Sequence, residues 1–255
     1  MSSSVLAGPP GDSCFSKGVQ HTGTPVGKTV QIADFPTYLS EPRSPVTGNN
    51  KVILYFSDIH GPLYVNNKLI QDYFSEAGFY VLGIDYFDGD PIDKHTNEEN
   101  FDRQAWRSAA TKRAKEWIPK WFDAIKESYG TDAKYCAVGY CFGAPYALEF
   151  ANKEGVAAVA FAHPSSLNED HFRSVKTPLL MSCAETDSAF PLESRRRAED
   201  ILVELKAKYF IQVFSGVKHG FAVRGDPDVP DERWAKEESA RGILAWFTRF
   251  AKGVE

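Results

Sequence analysis

Cysteine is scarce in this chain: four stand among 255 residues, at positions 14, 136, 141 and 183. They form no C-x-x-C pair and no Cys/His spacing that would hold zinc. Free thiols are therefore expected rather than a disulfide scaffold. Residues 1–10 also lack the cationic and apolar pattern of a leader, so a reducing, cytoplasmic setting is expected. No apolar stretch approaches the length needed to span a bilayer. The final Lys252-Gly253-Val254-Glu255 matches no address signal. Charge of one sign is also missing: the net charge is −5, and no like-charge run exceeds Arg195-Arg196-Arg197. That triplet reads as a solvated helix face, and the mixed pattern argues against nucleic acid as a partner.

Short apolar runs alternate with helical periodicity along most of the chain. Residues 1–28, rich in Gly, Pro, Ser and Thr, read as an irregular arm. Residues 29–39 are extended, with Pro36 marking a sheet edge, and 40–50 hold turn chemistry. Strands are expected over 51–57, 79–84, 135–138, 156–162, 179–183 and 209–214. Helices are expected over 67–77 (closed by Gly78), 101–129 with a kink or restart at Pro119, just after 143, and over 192–208 and 233–252. Residues 215–230 read as one long loop. Such alternation specifies an α/β fold, a mostly parallel doubly wound sheet flanked by helices, as a single domain over 29–255. The 43% hydrophobic content is enough for its core. In this architecture functional groups collect at the carboxyl ends of strands.

One such end carries a distinctive pattern, Val138-Gly139-Tyr140-Cys141-Phe142-Gly143, followed by a helical stretch. This is the layout of a nucleophile elbow, the strand-to-helix turn of the α/β-hydrolase fold, with Cys in the usual place of Ser. Glycines on both sides allow the strained nucleophile and its close neighbours. The helix N-terminus is expected to favour thiolate. Cys136 and Cys183, inside core strands, read as inert filling, and Cys14 lies in the arm.

A thiol nucleophile needs a base and a carboxylate to orient it, in chain order nucleophile, acid, His. His219 lies after the last expected strand, where the base belongs. His171 sits in a charged, solvated stretch. His163, at the end of the strand after the elbow, is a candidate to line the pocket. Asp187 follows the 179–183 strand, with Glu185 as its competitor. The oxyanion site should combine the backbone N–H groups of Phe142 and Ile59. Tyr86, Phe87, Trp106 and Phe190 are candidates for an aromatic pocket, although each alone is ordinary core material.

These blocks resemble the dienelactone hydrolase family, in its largely fungal branch. The matching residues are Gly139-Tyr140-Cys141-Phe142-Gly143, Glu185-Thr186-Asp187 with Phe190-Pro191, and His219-Gly220-Phe221-Ala222-Val223-Arg224-Gly225. Ser57-Asp58-Ile59-His60-Gly61 with Asn66-Asn67, and the arm from Gly18 to Gly27, match as well. The resemblance implies a Cys141–Asp187–His219 triad that hydrolyses a lactone or related ester through a thioester, with no metal or organic cofactor. It also implies a thiol-modulating role for Asp58, which stands where bacterial members carry Glu. Arg224 would hold a substrate anion, although it follows His219 by five positions rather than four. Arg103 is a candidate second arginine.

The expected function is thus a cysteine hydrolase of a small lactone or activated ester, acting as a monomer or homodimer with no nucleic-acid or membrane partner. The alternative is a non-hydrolytic isomerase, cyclase or lyase of natural-product metabolism, using Cys141 and His219 as acid–base groups. A ligand-binding protein without activity would have no need of the three groups in order.

Overall fold

The structure, a computed structural model, describes residues 3–15, 19–44 and 48–252. Gly18 of the arm motif, residues 45–47 of the turn segment and 253–255 of the C-terminal tetrapeptide lie outside the described residues. In chain order the elements are β1 (Val5–Ala7), α1 (Asp12–Phe15), β2 (Lys28–Ile32), β3 (Phe35–Ser40), β4 (Lys51–Phe56) and α2 (Val65–Ser75). Next come β5 (Tyr80–Ile84), α3 (Arg103–Tyr129), β6 (Lys134–Tyr140), α4 (Ala144–Glu149), β7 (Val156–Ala162) and β8 (Leu167–Asn168). The chain ends with α5 (Glu169–Arg173), β9 (Leu179–Thr186), α6 (Leu192–Glu204), β10 (Tyr209–Lys218), α7 (Phe221–Arg224) and α8 (Pro230–Ala251).

Eight strands form one sheet in the order β10-β9-β7-β6-β4-β5-β3-β2. From β5 to β10 every neighbour pair is parallel, while β3 is antiparallel to both β5 and β2. Side chains alternate across the sheet as a two-residue period requires. Val52, Leu54 and Phe56 of β4 join the layer of α3, α4 and α6, built on residues such as Trp121, Leu148 and Ile201. Ile53 and Tyr55 join the opposite layer with Phe74 of α2 and Phe247 of α8. The expected doubly wound architecture is present, with helices on both faces of a mostly parallel sheet.

Several local expectations need correction. Residues 29–39 form a hairpin rather than one edge strand, turning at Ala33 and Asp34 with φ +50° and +65°. Those angles suit the tight turn that matches strand twist. Pro36 therefore lies one strand in from the edge. It sits just beyond the end of β5, where its carbonyl accepts from Asp85 N–H and its missing donor falls outside the ladder. Helix α3 runs unbroken through Pro119 over 27 residues, with no restart. The expected 215–230 loop is partly ordered: β10 continues to Lys218 past an irregularity after Phe214, and α7 follows. Within the arm, β1 pairs with β8 and the short α1 forms at Asp12–Phe15. Alternation and periodicity could not reveal these arm elements, because tertiary contacts hold them.

Candidate active site

Strand β6 delivers Cys141 at its carboxyl end with φ +48°, a left-handed value that costs a non-glycine residue about 1–3 kcal/mol. Its flanking glycines are required by crowding. A Cβ on Gly139 would lie 2.4 Å from the Gly143 carbonyl oxygen, and one on Gly143 would lie 2.1 Å from that of Phe56. The turn thus packs directly against β4, and the strain is held by the two central strands.

Strand β9 and the loop after it present Asp187, and the loop after β10 presents His219. His219 Nε2 lies 3.2 Å from Cys141 Sγ. Its Nδ1 lies 2.9 Å from each oxygen of Asp187. Asp187 is fixed in turn by accepting from the backbone N–H groups of Ala189 (2.8 Å) and Phe190 (3.1 Å). Glu185, the competitor, is exposed and accepts from Gly216 N–H instead. The structure therefore brings Cys141, His219 and Asp187 into one buried chain of hydrogen bonds.

His163 packs edge-on against His219, with ring centroids 5.0 Å apart. Burial first, then the nearby charges of His219 and Arg224, pull it well below the ordinary imidazole value, so it stays neutral. His171 is not simply solvated: it is half-buried and completes a capping box with Asn168 at the start of α5. Tyr86, Phe87 and Phe142 pack together, with Phe142 5.4 Å from Tyr86 and 5.3 Å from Phe87. Trp106 stacks flat on Phe87. Phe190 lies elsewhere, between Phe161 and Phe172. Ile59 and Phe142 follow the ends of β4 and β6, which are paired in the sheet through Phe56 and Gly139.

Asp58 and Arg224 are both buried near this point. Asp58 Oδ1 accepts from Asn67 Nδ2 (2.9 Å) and His60 N–H (3.2 Å), while Oδ2 faces Arg224 Nε at 3.8 Å. Arg103 does not join them. It pairs with Asp12 of α1 at 3.0 Å and lies over the Phe15 ring at 4.4 Å.

Sequence reasoning missed Cys14. Helix α1 carries it into the site, with Sγ 3.5 Å from Cys141 Sγ, and Cys14 and Cys141 are 0% and 1% exposed. The two residues are 127 positions apart, and no spacing rule links them. Ser165, whose Oγ lies 3.9 Å from Cys141 Sγ, was missed for the same reason.

Cys14 changes the electrostatics. Its thiol is held down to about 5 by the hydrogen bond from Cys141, against burial and with help from His219. Cys141 is pushed well up, by burial first and then by Cys14. This direction runs against the thiolate expected at Cys141: α4 is only six residues long, and burial outweighs its dipole. Burial opposes charge on His219 too, but Asp187 and Cys14 outweigh it and raise the imidazole to about 9. These directions favour the anion on Cys14 and the cation on His219. The sulfurs of Cys14 and Cys141 and a His219 nitrogen lie within 4.8 Å of one another, and this is the one such cluster able to share a metal ion among the described residues. Two thiols and an imidazole are donors that suit zinc. Burial also pushes up the thiols of Cys136 and Cys183.

Residues 35–251 match the model of the dienelactone hydrolase family. The chain is 38% identical over 245 residues to Dienlactone hydrolase 1 of Gibberella moniliformis, covering 93% of each. It is 34% identical over 255 residues to Hydrolase tropI of Talaromyces stipitatus, covering 97% of this chain and 99% of that one. Among solved structures, the dienelactone hydrolase of Anabaena variabilis superposes with a TM-score of 0.61 at 18% identity, covering 90% of this chain and 99% of that one. A dienelactone hydrolase-like promiscuous phosphotriesterase from metagenomic libraries gives 0.65 at 17%, covering 88% and 98%. These two likenesses concern the fold.

Proposed function

The chain belongs to the dienelactone hydrolase family, and on that premise we propose that it cleaves a small lactone or activated ester through Cys141, His219 and Asp187. One observation carries the reading: a single imidazole lies 3.2 Å from the Cys141 sulfur on one side and 2.9 Å from a carboxylate on the other. In this mechanism His219 first returns its proton to Cys14, and the neutral imidazole then takes the Cys141 proton so that the thiolate attacks the substrate carbonyl. Asp187 holds the imidazole in the productive tautomer and stabilises its cation. The N–H groups of Ile59 and Phe142 hold the oxyanion. His219 then protonates the leaving oxygen, and a water it activates cleaves the thioester.

Asp58 and Arg224 tune the nucleophile in opposite senses, the carboxylate raising and the guanidinium lowering the Cys141 thiol. We assign Arg224 a second role in holding an anionic group of the substrate, in competition with Asp58. Tyr86, Phe87, Trp106 and Phe142 supply an apolar wall for the acyl or leaving portion; Phe190 packs apart from them, on Phe161 and Phe172. Four free cysteines suit a reducing compartment, and we place the enzyme in the cytoplasm. No helix among the described residues is long and apolar enough to cross a membrane.

Turnover of an enol lactone or aryl ester by the Cys141→Ala variant tests this reading. The variant should lose activity altogether, and mass spectrometry of wild type quenched in turnover should find an acyl group on Cys141. Undiminished kcat/KM in the variant would overturn the assignment. Activity loss without any adduct would favour the acid–base alternative.

A further inference from the structure

We propose that Cys14 is a resolving thiol: under a hydroperoxide it forms a reversible disulfide with Cys141 that closes the site. The bond itself rests only on geometry. Its effect on activity rests on the reading of Cys141 as nucleophile.

The two sulfurs face each other at 3.5 Å inside the core, with no side chain between them. A disulfide needs about 2.05 Å, so the pair must close by about 1.5 Å. Cys141 cannot supply that movement, because its turn is wedged between Gly139, Gly143 and Phe56. The movement falls to Cys14, on a helix of four residues. That helix is held in place over the site from two sides. Arg103 pairs with Asp12 and covers Phe15, and Gly8 bonds to Ala189 and Ser166. A cavity of about 460 Å³ lined by Phe15, Ile92, His95, Phe101 and Arg103 opens beside α1 and leaves that short helix room to shift.

Cys14 is also placed to react, because its sulfur lies within 4.8 Å of both the Cys141 sulfur and a nitrogen of His219, which can take its proton. Cys136 and Cys183 are buried in strands, where burial pushes their thiols up, and they have no comparable partner. Oxidation should therefore select one pair among four cysteines.

The chemistry balances as follows. Cys141 passes its proton to Cys14, to which it already donates, and its thiolate attacks the distal oxygen of the hydroperoxide; the O–O bond breaks, a sulfenic acid forms on Cys141, and the alkoxide leaves as an alcohol with the proton from His219. Cys14, deprotonated by the now neutral His219, attacks the sulfenyl sulfur of Cys141. The S–S bond forms, the S–O bond breaks, and hydroxide leaves as water with the proton from His219. Two thiols lose two electrons in all, and the hydroperoxide is reduced to alcohol and water. A dithiol reductant reverses the step by exchange.

The test uses the full chain, pretreated with chelator to remove any thiol-bound metal. It is exposed to tert-butyl hydroperoxide, quenched with N-ethylmaleimide and digested without reduction. The expected result is a linked peptide pair joining Cys14 to Cys141, lighter by two hydrogens. Aryl-esterase activity should fall in step with the link and return with dithiothreitol. In the Cys14→Ser and Cys14→Ala variants, each compared with its own untreated sample, the same dose should carry Cys141 on to sulfinate, and dithiothreitol should restore nothing. Alkylated Cys14 beside oxidised Cys141 in folded wild type would overturn the proposal. So would a link that forms only after unfolding, or one that joins other cysteines. If Cys141→Ala keeps its esterase activity while the wild-type link forms, the functional reading fails and the disulfide stands.

Discussion

Asp58 Oδ2 lies 3.8 Å from Arg224 Nε, with both side chains withdrawn from water. Removing one member of such a pair leaves an uncompensated charge in the interior, at about 3–5 kcal/mol. Arg224→Gln should therefore lower the unfolding free energy by about 3 kcal/mol, read from urea denaturation. Asp58→Asn should cost less, since Asn67 and the His60 N–H already satisfy its other oxygen. A loss below about 1 kcal/mol in Arg224→Gln would mean that the pair is solvated.

Gly143→Ala tests the elbow. The added carbon meets the Phe56 carbonyl at 2.1 Å, and a backbone atom in a central strand cannot step aside. The expected outcome is a loss of about 3 kcal/mol in stability, since overpacked cores commonly lose this much. A fall of about a hundredfold in kcat should accompany it, because the nucleophile shifts against His219. Wild-type kcat in a folded Gly143→Ala protein would show that the turn has room to relax.

The thiolate–imidazolium pair predicts an unusual pH profile. An imidazole raised from 6.5 to about 9, as in His219, stabilises the fold fully below 6.5 and loses that contribution as pH rises through 9. A thiol lowered from 9.0 to about 5, as in Cys14, stabilises above 9 and loses that contribution as pH falls through 5. Between 6.5 and 9 the two slopes cancel, because the folded chain holds on His219 the proton that the unfolded chain holds on Cys14. Between 5 and 6.5 the unfolded chain holds one proton more, so stability rises with pH. The unfolding free energy of wild type, minus that of a Cys14→Ser/His219→Gln variant, should climb by on the order of 2 kcal/mol over that lower interval and then level off. A difference that falls steadily from 6.5 to 9 would place a neutral thiol beside the imidazolium.

Much of this site could be read in the chain itself, because its parts obey strong local rules. Gly139 and Gly143 announce a crowded turn, and Asp187 and His219 stand at successive strand ends in the order the chemistry needs. Continuous apolar strands revealed the parallel sheet. What escaped reading depends on contact between distant segments. Cys14 lies in a stretch without periodicity and matters only because tertiary bonds lay it on Cys141. A dipole argument from α4 likewise could not include the effect of a second thiol on Cys141. Pro36 misled because its missing donor is harmless at the end of β5, a matter of register rather than composition.

The bonding of Gly8 sets how the site can open. Its N–H donates to Ala189 O and its carbonyl accepts from Ser166 N–H, while Ala189 N–H holds Asp187 and Ser165 N–H holds the Cys141 carbonyl. One residue of the arm is therefore riveted to the two loops that seat the acid and the nucleophile. Any motion that uncovers Cys141 and leaves Asp187 in place must pivot after Gly8. Pro9 and Pro10 have fixed φ, which moves the pivot on to Gly11. The obstruction over the thiol is a short crank on a fixed bearing, and cutting the whole arm away would remove the bearing along with the crank.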